Sequence, residues 1–330
     1  MRKNTGSGLH RKTVKRSLAF IMVFILTALP AAGCASKEDG EKADSKGTAS
    51  SSQEGDGITV TDMTGAKVHL EAPAERVVAV TASDCEILYA AGAGDTLVGR
   101  GEYCDYPEEA LEIKSVNSGT DLNIEQILAL EPDLVLMNEM DQSKDQVDAL
   151  KSAGLAVAES NAADIAGVYE SVSMIGALTG HEEEAAEVVS GMKAAFEKIQ
   201  ADVPEDAGEK TVYFEVSPLQ YGLWTAGSGT FMNEIAEMLG MKNAFADVEG
   251  WAEISEEQVL ERDPDYIVTI TMYDGEGETP VDEILGRDGW SGLKAVKNGA
   301  VFNADSNEVS RPGPRLKDAA ESLYDFFYRK

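Results

Sequence analysis

Two stretches of the chain spell the same succession of apolar and polar positions. Residues 123–137 read NIEQILALEPDLVLM and residues 255–269 read SEEQVLERDPDYIVT. In each, a residue suited to capping a helix (Asn123, Ser255) stands three positions before a glutamine (Gln126, Gln258), the spacing of a capping box. Apolar residues then recur at helical spacing (Ile124, Ile127, Leu128; Val259 with Leu260). A Pro-Asp pair (Pro132-Asp133, Pro264-Asp265) ends the helix, and a short apolar run reads as a buried strand. A unit met only twice, and so far apart, is not a solenoid, which stacks many short repeats. It predicts two similar α/β lobes, and lobes that meet leave a cleft of the kind that takes small ligands.

The remaining pattern fits that plan. Residues 58–61 and 67–70, around Asp62-Met63-Thr64-Gly65, read as a hairpin. Strands at 76–80 and 97–101, a helix at 84–91, the first repeat unit with its strand at 134–137, a helix at 144–153 and a strand at 155–158 alternate as βα units. They predict a mainly parallel sheet. From 165 to 202 there is no proline and the apolar residues keep helical spacing, interrupted only at Gly176 and at Thr179-Gly180. One or two long helices spanning the lobes are predicted there. The second lobe follows with strands at 211–215, 266–271 and 301–302, a helix at 230–239, the second repeat unit and a closing helix at 315–328.

The first residues change the picture of where the protein works. Arg2, Lys3, Arg11, Lys12, Lys15 and Arg16 precede an apolar run of 12 residues, Leu18 to Leu29. That run is shorter than the ~20 residues of a spanning helix. Ala31-Ala32-Gly33-Cys34 follows, so the segment reads as a secretory signal with a cysteine at the cleavage point. It resembles a bacterial lipoprotein lipobox, with Ala31 standing where leucine is commoner. The resemblance implies that residues 1–33 are removed and that Cys34 is lipidated. Residues 34–57 are rich in Ser, Gly, Lys, Glu and Asp without apolar periodicity, and predict a disordered tether. The chain carries 59 acidic against 28 basic residues, a net charge of −31. Nucleic acid is disfavoured as a partner, because phosphate binding needs a basic footprint.

The repeat, the lipobox and the long helical segment together resemble one family: the substrate-binding lipoproteins of ABC importers for ferric siderophores, haem and cobalamin. The motifs are Thr61-Asp62-Met63-Thr64-Gly65, Pro73-Ala74-Glu75-Arg76-Val77-Val78, Tyr103-Cys104-Asp105-Tyr106-Pro107, the two Glu-Gln units and Arg311-Pro312-Gly313-Pro314-Arg315. The resemblance covers residues 58–330. It implies an N-terminal lobe at 58–163, a rigid linker helix at 164–205 and a C-terminal lobe at 206–330, with ligand held between the lobes. It implies a monomer on the outer face of the cytoplasmic membrane, partnered by an ABC permease dimer with its ATPase. No cofactor of the protein's own is implied; the ligand, a ferric siderophore or cobalamin, carries the metal.

Candidate residues follow from pattern and resemblance together. Tyr103 lies just past a strand end, at the edge where open α/β sheets bind ligands. Trp224 and Trp251 stand near strand ends and loops of the second lobe. In the cobalamin branch, aromatic residues at matching positions pack on the flat ligand and Arg311 matches a basic contact. Two further aromatic positions of that branch are Gly119 and Asn138 here. Arg100 and Arg311 are alternatively suited to an anionic siderophore, since guanidinium offers forked donors. Core packing is the competing account of the tryptophans. Glu125 and Glu257 match the glutamates that dock the family's members on permease arginines. Each also occupies the second position of its helix, where a carboxylate meets the helix dipole favourably. Cys85 opens the helix after the strand at 76–80, and Cys104 follows the strand at 97–101. If the two strands are neighbours, both thiols sit at one sheet edge and a disulfide is expected to be open to an exported protein.

Other classes find less support. A zinc- or manganese-binding member would need several histidines with carboxylates, and beyond the leader there are only His69 and His181. A secreted, lipid-anchored hydrolase is the alternative from another class. Yet the chain has no Gly-x-Ser-x-Gly elbow and no credible triad. Gly227-Ser228-Gly229-Thr230 lacks the lysine of a phosphate loop and reads as a turn with a threonine cap. No catalytic or metal-ligating residue is assigned.

Overall fold

Strands β1 (Ile58–Thr61) and β2 (Lys67–Leu70) form the predicted hairpin. Its turn is organised by one side chain: Asp62 Oδ1 accepts from Thr64 N, Thr64 Oγ1 and Ala66 N at 2.7–3.0 Å. The structure, a computed structural model, describes residues 57–329 apart from 120–121, 141–142, 206, 209 and 274. The leader, Cys34 and most of the tether lie outside the described residues. After the hairpin come β3 (Val77–Ala79), α1 (Ala82–Ala90), β4 (Leu97–Arg100), α2 (Ile124–Leu128), β5 (Leu134–Asn138), α3 (Lys144–Ser152) and β6 (Ala156–Ser160). The four strands make a wholly parallel sheet in the order β4-β3-β5-β6. Both faces are covered, which is why β3 and β5 read as unbroken apolar runs.

The linker differs from the single rigid helix that the resemblance implies. It is a pair, α4 (Ile165–Thr179) and α5 (Glu182–Asp202). Gly180, in the left-handed region at φ 74°, ends α4 and reverses the chain. Gly176, read from the sequence as an interruption, is instead a contact: a Cβ there would lie 2.5 Å from Ala185 Cβ, so glycine lets the two helices close up. At the start of α4, Ile165 N donates to Glu234 Oε2 of the second lobe. At its end, Leu178 O accepts from Ala74 N of the first. Helix α5 returns, and Asp202 O at its end accepts from Tyr324 Oη. Both helices therefore run across both lobes, over about 22 and 31 Å at 1.5 Å per residue.

The second lobe contains β7 (Thr211–Ser217), β8 (Leu223–Ala226), α6 (Phe231–Met238), β9 (Lys242–Asn243), β10 (Trp251–Ile254), α7 (Glu256–Arg262) and β11 (Tyr266–Thr269). It continues through α8 (Pro280–Gly286), α9 (Lys294–Lys297), β12 (Val301–Asn303), α10 (Ser306–Ser310) and α11 (Leu316–Tyr328). Its sheet runs β10-β8-β7-β11-β12, with β9 also on β7. Strands β9, β7, β11 and β12 are parallel, whereas β8 and β10 are antiparallel additions. The sheet is thus mixed, with its larger part parallel as predicted and a two-strand antiparallel ribbon added at one edge.

The repeat has a structural meaning. Glu131 and Asp263, at matching positions, are the non-glycine residues with positive φ among those described (48° and 45°). The next two residues are Pro-Asp, and each aspartate clasps the start of the neighbouring strand. Asp133 Oδ2 accepts from Glu75 N and Arg76 N beside β3. Asp265 Oδ2 accepts from Thr211 N and Thr211 Oγ1 at β7. The caps differ in detail. Ser255 and Gln258 complete a capping box, whereas Gln126 Oε1 accepts from Asn117 N instead of Asn123 N.

One apolar core runs through both lobes. It joins Leu88 of α1, Val172 and Ile175 of α4, Phe196 of α5, Ile235 of α6 and Leu323 of α11. Separate cores fill the outer faces, around Val135 and Leu150 in the first lobe and around Phe245 and Trp290 in the second. No helix among the described residues is long and apolar enough to cross a membrane.

Candidate ligand cleft

The loops that leave the carboxyl ends of the two sheets confront each other, and charged side chains join them. Arg311 Nη1, beyond β12, donates to Glu86 Oε1 of α1 at 2.9 Å and to Asp105 Oδ1 beyond β4 at 2.7 Å. Arg315 donates to both oxygens of Glu86, at 2.9 and 2.7 Å, and its guanidinium lies 4.1 Å from the centre of the Tyr106 ring. The Glu86 side chain is only 2% exposed. Two arginines compensate a carboxylate that burial would otherwise disfavour. Burial works against charge on Asp105, but the bond and charge of Arg311, with the backbone and Arg315, together outweigh it and hold that carboxyl below its usual range.

Arg311 is therefore committed to an interlobe ion pair, where sequence reasoning offered it to a ligand. Arg100 is turned inward as well. Its Nη1 donates to the carbonyls of Gly101 and Glu102, while its buried Nε has no protein partner. At Gly101 a Cβ would fall 2.2 Å from the Val80 carbonyl oxygen, so glycine lets the next loop press over β3. That loop presents Tyr103, which is 70% exposed.

On the second lobe a pocket of about 900 Å³ opens where β7, β11 and β12 end, lined among others by Gln220, Tyr273, Glu278, Asn303 and Asp305. Beneath it Arg287 is held by Glu215 through two bonds, at 2.7 and 2.8 Å, and by Glu283, with its guanidinium 4.5 Å from the Trp290 ring centre. Burial pushes the Glu215 carboxyl up, against the arginine's pull.

Trp224 and Trp251 are half-exposed, and each lies within a strand instead of a loop. Trp224 stands opposite Glu253, and Trp251 opposite Ala226. Directly opposed residues share a face, so both rings lie on one face of the β8–β10 ribbon as diagonal neighbours. The Trp251 ring is 5.5 Å from Phe231, whose N–H donates to Ala163 O on the crossing from the first lobe. The tryptophans are thus not core residues, which removes the competing account. Sequence reasoning missed Tyr221 (76% exposed) and Met272 (73% exposed). Their signal was a large apolar residue in the connection just past a strand, with glycine close by.

Glu125 and Glu257 are exposed, each at the second position of its helix. Both helices run back toward the amino end of the strand that follows, so both N-termini are directed to the carboxyl rim that carries the cleft. The Glu257 carboxyl is held below its usual range by its own backbone N–H first and by the Ser255 hydroxyl. Cys85 and Cys104 stand as two buried thiols, not a disulfide. The Cys104 thiol donates to Ala79 O, and contact with Cys104, then burial, pushes the Cys85 thiol far up. Thr230 caps α6, as the glycine-rich loop before it suggested. Among the described residues no group of three or more His, Cys, Asp or Glu side chains is placed to hold a metal ion.

Known proteins share this arrangement. A family profile described as "Periplasmic binding protein" matches residues 77–308. An uncharacterized ABC transporter substrate-binding lipoprotein of Bacillus subtilis, YvrC, is 35% identical over 96% of this chain and 98% of its own. The vitamin B12-binding protein of Vibrio cholerae is 30% identical over 76% of this chain and 88% of its own. A solved Staphylococcus epidermidis structure, described as a possible iron-binding (periplasmic solute-binding) protein, superposes with a TM-score of 0.68. It is 33% identical and covers 77% of this chain and 99% of its own.

Proposed function

Since this chain belongs to the periplasmic binding protein family, the substrate-binding proteins of ABC importers, we propose that it captures a chelated-metal ligand between its lobes. The ligand is a ferric siderophore or cobalamin, delivered to the permease dimer and its ATPase. Members of this family are binding proteins, not enzymes. The observation that carries the reading is the meeting of two carboxyl-end rims across the Arg311–Glu86–Asp105 junction, with Tyr103 on one lobe and the two tryptophans on the other. Ligands of open α/β sheets bind at such edges, and flat or apolar chelate surfaces suit exposed aromatic rings. The names of the Vibrio and Staphylococcus relatives, one for vitamin B12 and one for iron, support the two ligand classes. The alternative is a haem-binding member of the same family.

Delivery rests on Glu125 and Glu257, read as paired docking points for permease arginines. Cys34 is read as the lipid attachment that keeps a monomeric protein on the outer face of the cytoplasmic membrane. The test is titration of the purified mature protein with cyanocobalamin, a ferric trihydroxamate and haem, followed by tryptophan fluorescence. One-to-one, submicromolar binding of cobalamin or the hydroxamate is expected, and it weakens in Trp224→Ala or Trp251→Ala while the fold is kept. Failure of all three to bind overturns the reading.

A further inference from the structure

The rims of the cleft are predominantly acidic. The segments just past the carboxyl ends of the strands on both lobes (101–107, 139–140, 161–164, 218–222, 270–273, 275–280 and 304–313) carry Arg311 as their base, with Lys114 farther along the loop after β4 and Arg315 just beyond. Against it stand Glu102, Asp105, Glu139, Glu278, Asp305 and Glu308. Three arginines near the cleft are held by carboxylates, Arg311 and Arg315 by Glu86 and Asp105 and Arg287 by Glu215 and Glu283, while Arg100 bonds two backbone carbonyls through Nη1 and keeps an unpartnered Nε. An anion that recruited Arg311 would take it from Glu86, whose side chain is 2% exposed, and leave that buried carboxylate to Arg315 alone. Burial first, and then the neighbouring Asp305, pushes the Glu308 carboxyl up even with Arg315 nearby.

We infer that this cleft selects a neutral or cationic chelate and rejects polyanionic ones, such as a ferric tris-catecholate or haem with its two propionates. The inference rests on the cleft being the ligand site, as proposed above, and deepens it to a charge class. It runs against the expectation that Arg100 and Arg311 face an anionic siderophore. Acidic walls of low dielectric focus a negative field on the space between them, which favours a positive ligand and repels a negative one.

Two pairs of ligands test this with shape held nearly constant. Aquacobalamin and cyanocobalamin differ by one positive charge on the same corrin. Ferrioxamine B and its N-acetylated form differ by one on the same trihydroxamate. Affinities are measured by calorimetry at low and high salt, with ferric enterobactin and haem as polyanions. In whichever pair binds, the cation is expected to bind about fivefold tighter at low salt, a difference that shrinks as salt screens it. Glu102→Gln combined with Glu278→Gln, one exposed carboxylate from each lobe, is expected to reduce the preference and leave the fold intact. Equal affinity within the pair at both salt concentrations overturns the inference. So does a polyanion that binds as tightly as the cation, and that result leaves the cleft itself standing as a ligand site. Failure of the whole panel to bind overturns the proposed function, and this inference with it.

Discussion

Asp84 holds a carboxylate where water does not reach. The residue is 1% exposed, and neither oxygen has a partner at hydrogen-bond distance, although the hydroxyls of Ser160 and Thr81 lie beside it. Burial lifts its pKa to about 6, against a partial lowering by those hydroxyls. A carboxyl whose pKa is higher in the folded than in the unfolded chain favours the folded state in acid. That contribution is lost as pH rises from about 4 through 6, and at pH 7 the buried charge costs roughly 3 kcal/mol. Asp84→Asn should therefore stabilise the protein at pH 7 by about 1–3 kcal/mol in urea denaturation, and the gain should vanish near pH 4. A variant that is less stable than the parent at pH 7 would contradict this. Nothing in the sequence announces Asp84 or Glu86, since polar residues opening a helix read as solvated. They are buried because α1 is covered by α4 and α5, and because Arg311 and Arg315 arrive from far along the chain. Tyr103, by contrast, was legible at the carboxyl end of a strand, whereas for the two tryptophans the sequence left core packing open.

At the scale of elements, legibility followed periodicity. The hairpin, the repeat units and the long helical stretch carry clean patterns and were read within a few residues of their observed bounds. Strands β8 and β10 were not read. They have four residues each, and they hold half-exposed tryptophans where an apolar alternation would point inward. The interruption at Thr179-Gly180 was legible, and the left-handed backbone of Gly180 decides for two helices over one. The repeat itself makes the sharpest element-level prediction. Glu125 and Glu257 open matching helices, and neither is part of the Arg311–Glu86–Asp105 junction. Glu125→Arg with Glu257→Arg should abolish ligand-dependent uptake by cells, because two attractive contacts become repulsive. Ligand affinity of the purified protein should stay near the parent's, and single variants should be intermediate. Uptake at the parental rate in the double variant would reduce both residues to helix starters.

At the scale of the whole molecule, the continuous core under α1, α4, α5, α6 and α11 ties the lobes together along their helical side. Two helices span the lobes where the resemblance implied one, and three ion pairs among Arg311, Arg315, Glu86 and Asp105 close the junction. Large hinge opening would tear apolar surface from both lobes at once. Ligand is therefore expected to enter a cleft that is largely formed beforehand, with adjustment left to the loops. The sequence implied two lobes and a cleft, but the degree of coupling depends on side chains that meet only in the folded chain. The central claim is that one ligand contacts both rims together. Hydrogen exchange of the protein, free and saturated with the tightest binder of the cobalamin and hydroxamate panel, tests it most directly. Protection is predicted in 101–107 of the first lobe and, at the same ligand concentration, in 218–224 and 270–280 of the second, with α2 and α7 unchanged. Protection confined to one lobe, or appearing only away from these loops, would contradict the account.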